Sequence, residues 1–260
     1  MTRLSEYELY MRSVQNPVFD ARLLQRIYKS YFDIPTSGLS LREDFCGTGA
    51  LCYEWIRLNK SHSALGVDLD NSAIKWGKSR YDIQNDARVS LREENVFSSS
   101  KEPAHLVCAL NFSYFLLKTR ADLVRYFKKC RTRLHKNGVL ALDAFGGPGY
   151  LKPTSELRTK INKKHSVYWN INSFNAINQN IKCSISLLNH ATNKKRDLFK
   201  YDWRLWNPQE ITECLMEAGF QNILYWSEGL NKNGHGNAKF RQIKSEMGVE
   251  TWLIYITATK

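Results

Sequence analysis

The stretch from Leu41 to Asp70 constrains the fold most. It reads Leu41-Arg42-Glu43-Asp44-Phe45-Cys46-Gly47-Thr48-Gly49, then an apolar helix-like run, then Ala64-Leu65-Gly66-Val67-Asp68-Leu69-Asp70. The order is strand, glycine turn, helix and second strand, with an acid closing the second strand. Gly47 and Gly49 lack the side chains that would hold a ligand away from the backbone. Asp68 follows Gly49 by 19 residues, the interval at which a carboxylate meets ribose hydroxyls in nucleotide-binding units. The dinucleotide pattern wants a third small residue three positions after Gly49. Cys52 stands there, which argues against a nicotinamide cofactor.

Residues Glu43 to Gly49 resemble the first motif of class I S-adenosylmethionine-dependent methyltransferases, an acid-x-Gly-x-Gly-x-Gly pattern with Phe45 at the first glycine. Gly66-Val67-Asp68 resembles the second. Asn111-Phe112-Ser113-Tyr114, Leu142-Asp143-Ala144-Phe145-Gly146 and Tyr201-Asp202-Trp203-Arg204-Leu205-Trp206 resemble one branch of that superfamily. The likeness covers Leu41 to Gly147 well and Tyr201 to Trp226 moderately. It implies an α/β, Rossmann-like seven-stranded methyltransferase sheet, with N-terminal helices and a β-rich insertion after the fifth strand. Residues 1–260 are then one domain, with 1–40 as a helical lid and 150–205 as a β-rich cover.

The same resemblance implies S-adenosyl-L-methionine as cofactor and S-adenosyl-L-homocysteine as product. Glu43, Cys46, Gly47, Gly49, Asp68, Leu69, Asn95, Val96, Leu110 and Asn111 are the expected cofactor contacts. Glu43 is the acid in register with the motif, beside Asp44. Asn95 is expected at the adenine amino group, with Val96 stacking on the base. Ligands of open parallel sheets sit outside the carboxyl ends of the strands, which puts Asn111 and Tyr114 near the transferred methyl group. Tyr114 and Tyr10 are expected to position the acceptor. Tyr114, Trp203, Arg204 and Trp206 are expected to line its pocket. Asn111 to Tyr114 lacks the prolines of an Asn/Asp-Pro-Pro-Tyr segment, so nucleobase and glutamine methylation are not implied.

The net charge of +13 permits a polyanion partner. It does not demand one, because Asn and Lys are abundant along the whole chain. A small-molecule acceptor is the favoured partner. RNA or protein as acceptor, and a non-catalytic S-adenosyl-ligand module, are the alternatives. Six cysteines lie scattered in apolar segments with no Cys-x-x-Cys pair or Cys/His cluster, as expected for buried thiols in a reducing, cytoplasmic setting without a metal. No apolar run approaches the ~20 residues of a membrane span, and the polar start Met1 to Glu6 is unlike a signal peptide.

In chain order, Tyr7, Tyr10, Met11 and Val14 predict a first helix, broken at Asn16-Pro17. Asp20 is placed to cap a second helix. Helices are expected from Asp70 or Asn71 through Tyr81 and from Thr119 to an Asn137-Gly138 stop. Short strands are expected at 88–92, 106–110 and 139–145. Segments 166–174, 181–189 and 196–205 read as three antiparallel strands. Asn207-Pro208-Gln209-Glu210 starts another helix. Segments 220–226 and 251–257 read as the last two strands, the final one antiparallel beside the fifth. A loop from Gly229 to Phe240 containing His235 joins them.

Overall fold

Two helices precede the first strand of the computed structural model, which describes residues 4–32, 35–99, 101–230, 236–245 and 248–260. Helix α1 (Glu6–Val14) opens with a capping box in which Ser5 and Glu8 accept each other's backbone N–H. Helix α2 (Pro17–Tyr31) is capped by Asn16, whose side chain accepts the Phe19 N–H at 3.3 Å. Asp20 was the expected cap. Proline at the first helical position moves the start earlier, so Asp20 sits inside the first turn and its carboxylate points elsewhere.

The main sheet alternates strands and helices: β1 (Ser40–Asp44), α3 (Ala50–Leu58), β2 (Ser63–Asp68), α4 (Asn71–Tyr81), β3 (Val89–Glu93), β4 (Ala104–Ala109), α5 (Arg120–Thr132) and β5 (Leu134–Gly146). Helix α5 stops before the Asn137-Gly138 pair, which lies within β5. Leu134 is buried and already paired with Ala104, so an apolar anchor and a ladder outweigh the local stop signal. An antiparallel sheet follows: β6 (Thr154–Asn162), β7 (His165–Asn175), β8 (Asn180–Asn189) and β9 (Lys194–Arg204). Strand β6 was not expected. It is almost wholly solvent-facing, so no apolar alternation marked it. Helix α6 (Pro208–Glu217), β10 (Gln221–Leu230), β11 (Gly236–Ile243) and β12 (Trp252–Thr259) complete the chain.

Among the described residues the main sheet has eight strands, in the order β11-β10-β12-β5-β4-β1-β2-β3. Strands β1 to β5 run parallel. Strand β12 inserts antiparallel between β5 and β10, as expected. The seven-strand expectation is short by β11, which pairs with β10 where a loop was read. His235 lies outside the described residues.

Strands β2, β4 and the second half of β5 are largely apolar and buried on both faces, as a sheet covered on both sides requires. One core holds Leu140, Leu142, Phe127 and the inner face of the second sheet: Val167, Trp169, Ile171, Cys183, Ile185 and Trp203. The other packs α2 and α3 on the opposite face through Leu24, Ile27, Trp55 and Leu106. The second sheet therefore shares a core with the carboxyl ends of β4 and β5. Helix α4 lies directly on the glycine turn: a Cβ on Gly77 would overlap the Thr48 carbonyl oxygen.

Candidate active site

Between β1 and α3 the backbone turns through three left-handed residues, Phe45 (φ +61°), Gly47 (φ +52°) and Gly49 (φ +70°). Phe45 adopts the conformation a glycine would take there, at a cost of about 1–2 kcal/mol. Its ring packs 5.7 Å from Tyr126. Gly49 precedes α3 without a side-chain cap, so backbone alone forms this face of the turn. A Cβ on Gly47 would meet nothing within 4 Å; open space lies before it.

Asp68 faces the same turn from the end of β2. It accepts the Gly47 N–H at 2.7 Å and the Asp70 N–H at 2.8 Å. A carboxylate has about four lone-pair sites, so Asp68 keeps capacity for further donors. Leu69 beside it is 65 % exposed. Open backbone, an acid with spare lone pairs and a bare apolar side chain together fit an adenosine group. From α1, Tyr7 donates to Asp70 at 3.4 Å and its ring lies 5.6 Å from Trp76.

Alternation along β1 separates the adjacent acids. Glu43 is buried and accepts the Cys52 thiol at 3.2 Å. Burial pushes it up to about 8, against the pull of that thiol. Asp44 points to the other face, where it meets Arg42 Nε at 2.8 Å, the Tyr126 hydroxyl at 3.2 Å and Arg133 Nη1 at 3.6 Å. Cys46 is buried against Gly66. Asn95 is committed locally, its Oδ1 accepting the Phe97 N–H at 2.9 Å, and Val96 beside it is buried.

At the end of β4, Asn111 (φ +56°) and Phe112 (φ +60°) form a second left-handed turn. Consecutive non-glycine residues there are costly, and Asp143 on β5 holds them. Its carboxylate accepts the Asn111 N–H at 2.8 Å and the Phe112 N–H at 2.9 Å. Burial raises Asp143 to about 7, with those two N–H groups opposing.

Beyond this turn lies a cavity of about 430 Å³. Leu110, Asn111, Phe112 and Asp143 form its floor, α1 and the α1–α2 connection one wall, and Phe145, Trp169, Ile185, Tyr201 and Trp203 another. Tyr255, Phe240 and Glu228 close it from the antiparallel strands. Ser13 Oγ, Gln15 Oε1 and Trp203 Nε1 are buried on lining residues and have no hydrogen-bond partner among the described residues. Buried polar atoms are normally paired, so these three await one. Arg12 and Arg158 also line the cavity, the latter 3.3 Å from Glu156. Tyr10 reaches the Tyr201 hydroxyl and feels Asp143, Glu43 and Asp68, which hold its phenol protonated after burial. It thus joins the cavity to the glycine turn.

The structure brings together Tyr10, Leu110, Asn111 and Trp203 around the cavity. Glu43, Cys46, Gly47, Gly49, Asp68 and Leu69 lie at the ends of β1 and β2, outside its lining. Three expected pocket residues are elsewhere. Tyr114 is fully buried and donates to the Asp143 carbonyl at 2.9 Å, because the left-handed turn aims it under the strand. Arg204 lies 3.7 Å over the Trp206 ring and binds Glu210 at 2.7 Å. Trp206 is buried and donates to the Leu117 carbonyl. Sequence reasoning missed Asp20, Asp143, Glu228 and Tyr255. Only Asp143, an acid ending an apolar strand, carried a local signal.

No protein-family model matches the sequence, and no curated protein matches it. The fold does have counterparts among solved structures. An S-adenosylmethionine-dependent methyltransferase from Clostridium acetobutylicum superposes with a TM-score of 0.69 at 16% identity, covering 97% of this chain and 96% of that one. CalS10, an amino pentose methyltransferase from Micromonospora echinaspora, gives 0.69 at 15% identity over 100% and 99% of the two chains. The CcbJ methyltransferase from Streptomyces caelestis gives 0.68 at 12% identity over 100% and 99%. The chain has the fold of class I S-adenosylmethionine-dependent methyltransferases.

Proposed function

We propose that the protein is an S-adenosylmethionine-dependent methyltransferase whose acceptor is a small molecule. The observation that carries this reading is the part-open cavity at the carboxyl ends of β4 and β5, with three polar atoms on its lining that no described residue pairs. Its volume lies within the ~300–1,000 Å³ range of small-molecule sites. Related folds point the same way: among the similar structures are a sugar N-methyltransferase, an amino pentose methyltransferase and a glycopeptide N-methyltransferase. RNA as acceptor is disfavoured by the acids Asp20, Asp143 and Glu228 within the cavity, whatever the net charge of +13.

Gly47, Gly49, Asp68 and Leu69 would hold the adenosine portion of the cofactor, with Leu110 and Asn111 at the cavity side. When bound, the cofactor supplies a methyl group already activated on a sulfonium. The protein's part is orientation and exclusion of water, and orientation alone contributes about 7–11 kcal/mol. Phe112, Phe145, Trp169 and Trp203 form the apolar wall that keeps water out. Tyr10, anchored on Tyr201, holds the side where the two sites meet. The lining carries both signs of charge, Asp20 and Glu228 on one hand and Arg12 and Arg158 on the other, so it suits a ligand with distinct polar ends.

Asp68→Ala is expected to lose at least one charge-assisted hydrogen bond, about 1.5–3 kcal/mol or roughly 10- to 150-fold in S-adenosylhomocysteine affinity. Calorimetric titration checks this, and unchanged affinity in a folded variant contradicts the assignment. For the acceptor, tritiated S-adenosylmethionine is incubated with a host extract separated by size. Label in the low-molecular-weight fraction is expected; nuclease-sensitive label in large RNA would replace this reading.

A further inference from the structure

Asp20 is absent from the glycine-turn site and from the clamp on Asn111, yet it lines the cavity. It sits in the first turn of α2, half-buried, and accepts the Tyr255 hydroxyl of β12 at 2.7 Å. Aromatic rings surround this pair: Phe240 lies 5.2 Å from Tyr255 and 5.3 Å from Phe19. A hydroxyl-bonded carboxylate among ring faces is a receptor for a cation that sheds water on entry. Burial and the Tyr255 hydroxyl act on Asp20, and the Asp20 charge in turn raises Glu43 on β1, Cys108 on β4 and Asp143 on β5. Glu228 on β10 acts on the same Tyr255, and Arg12 lines the cavity from α1.

We infer that the acceptor is a small polar amine, and that Asp20, oriented by Tyr255, binds its ammonium and takes its proton. This rests on the methyltransferase reading above. An ammonium has no lone pair to attack a methyl group. Transfer of one N–H proton to an Asp20 oxygen breaks the N–H bond and leaves its electron pair on nitrogen. That pair forms the new C–N bond while the C–S bond breaks and its electrons stay on sulfur. The product leaves as the N-methylated ammonium, and Asp20 returns its proton to water. Burial holds Asp20 at about 6, with the Tyr255 hydroxyl opposing, so the carboxylate is ionised at neutral pH yet basic enough to receive a proton. Ser13 Oγ, Gln15 Oε1 and Trp203 Nε1 remain for the acceptor's other polar groups.

The test uses cyclohexylamine and cyclohexanol, matched in shape, titrated into the full chain saturated with S-adenosylhomocysteine between pH 5 and 8. Wild type is expected to prefer the amine by about tenfold or more at pH 7.5, the scale of one hydrogen bond to a charged group. The preference should fade below about pH 6, as Asp20 becomes neutral. Asp20→Asn should abolish it while keeping S-adenosylhomocysteine affinity. Tyr255→Phe removes the donor that lowers Asp20, so the pH midpoint should move upward; this arm stands even if Asp20→Asn fails to fold. No amine preference in wild type, preference retained in Asp20→Asn, or an unmoved midpoint in Tyr255→Phe overturns the proposal. Failure of wild type to bind S-adenosylhomocysteine instead overturns the cofactor reading on which it rests.

Discussion

Asp143→Ala is expected to cost up to about 2–6 kcal/mol of stability, because two part-buried N–H groups lose their acceptor at up to about 1–3 kcal/mol each. Those groups belong to Asn111 and Phe112, both left-handed and both bound to the Asp143 carboxylate. Without the clamp the pair has no reason to keep that conformation, and the cavity floor moves. A displacement of about 1 Å costs methyl transfer about 100-fold. The pH dependence separates this from a general loss of packing. Asp143 sits at about 7 in the folded chain, above its ordinary value near 3.8. A raised carboxylate stabilises fully below its unfolded value, and that contribution is lost as pH rises through the folded one. The gap between wild type and Asp143→Ala should therefore narrow from pH 5 to pH 8 in urea unfolding. A gap that is constant or widens contradicts this account of the clamp.

Asp44→Ala is the second large expectation. Asp44 is fully buried between Arg42 and Arg133, and the Tyr126 hydroxyl donates to it. Burial raises its proton affinity and the two guanidinium groups oppose that. Removing the carboxylate takes the counter-charge from two buried guanidinium groups beneath α5, which keep neutral partners such as the Ser99 hydroxyl and carbonyl. Breaking a buried pair from one side costs about 3–5 kcal/mol. For a chain of this length that is a fall of roughly 6–20 °C in Tm. Scanning calorimetry checks it, and a fall of less than about 2 °C would mean that water or rearrangement satisfies the arginines. Cofactor affinity in the folded fraction should change little, since Asp44 points away from the glycine turn.

The strand–turn–helix–strand core was legible because glycine spacing and the acid after the second strand are local. Capping signals at Thr119 and Asn207 were legible for the same reason, and both caps form. Strand β6 was invisible because exposed strands have no apolar alternation. Strand β11 hid in a glycine-containing segment that only its pairing with β10 makes extended. The site divided along the same line. The residues of the glycine turn were readable from motif spacing. Asp20 and Tyr255 are 235 residues apart, and nothing local announces that α2 and β12 meet. Tyr114, Arg204 and Trp206 were misplaced because side-chain direction depends on the Asn111-Phe112 turn and on where β9 ends.

The most direct test of the central claim is thermal unfolding with S-adenosylhomocysteine, S-adenosylmethionine and NADH, each near 1 mM. A ligand at ~100 times its dissociation constant stabilises by ~2.7 kcal/mol, a rise of roughly 5–10 °C for this length. The two adenosyl sulfur ligands should raise Tm and NADH should not. A rise with NADH alone, or with none of the three, contradicts the account.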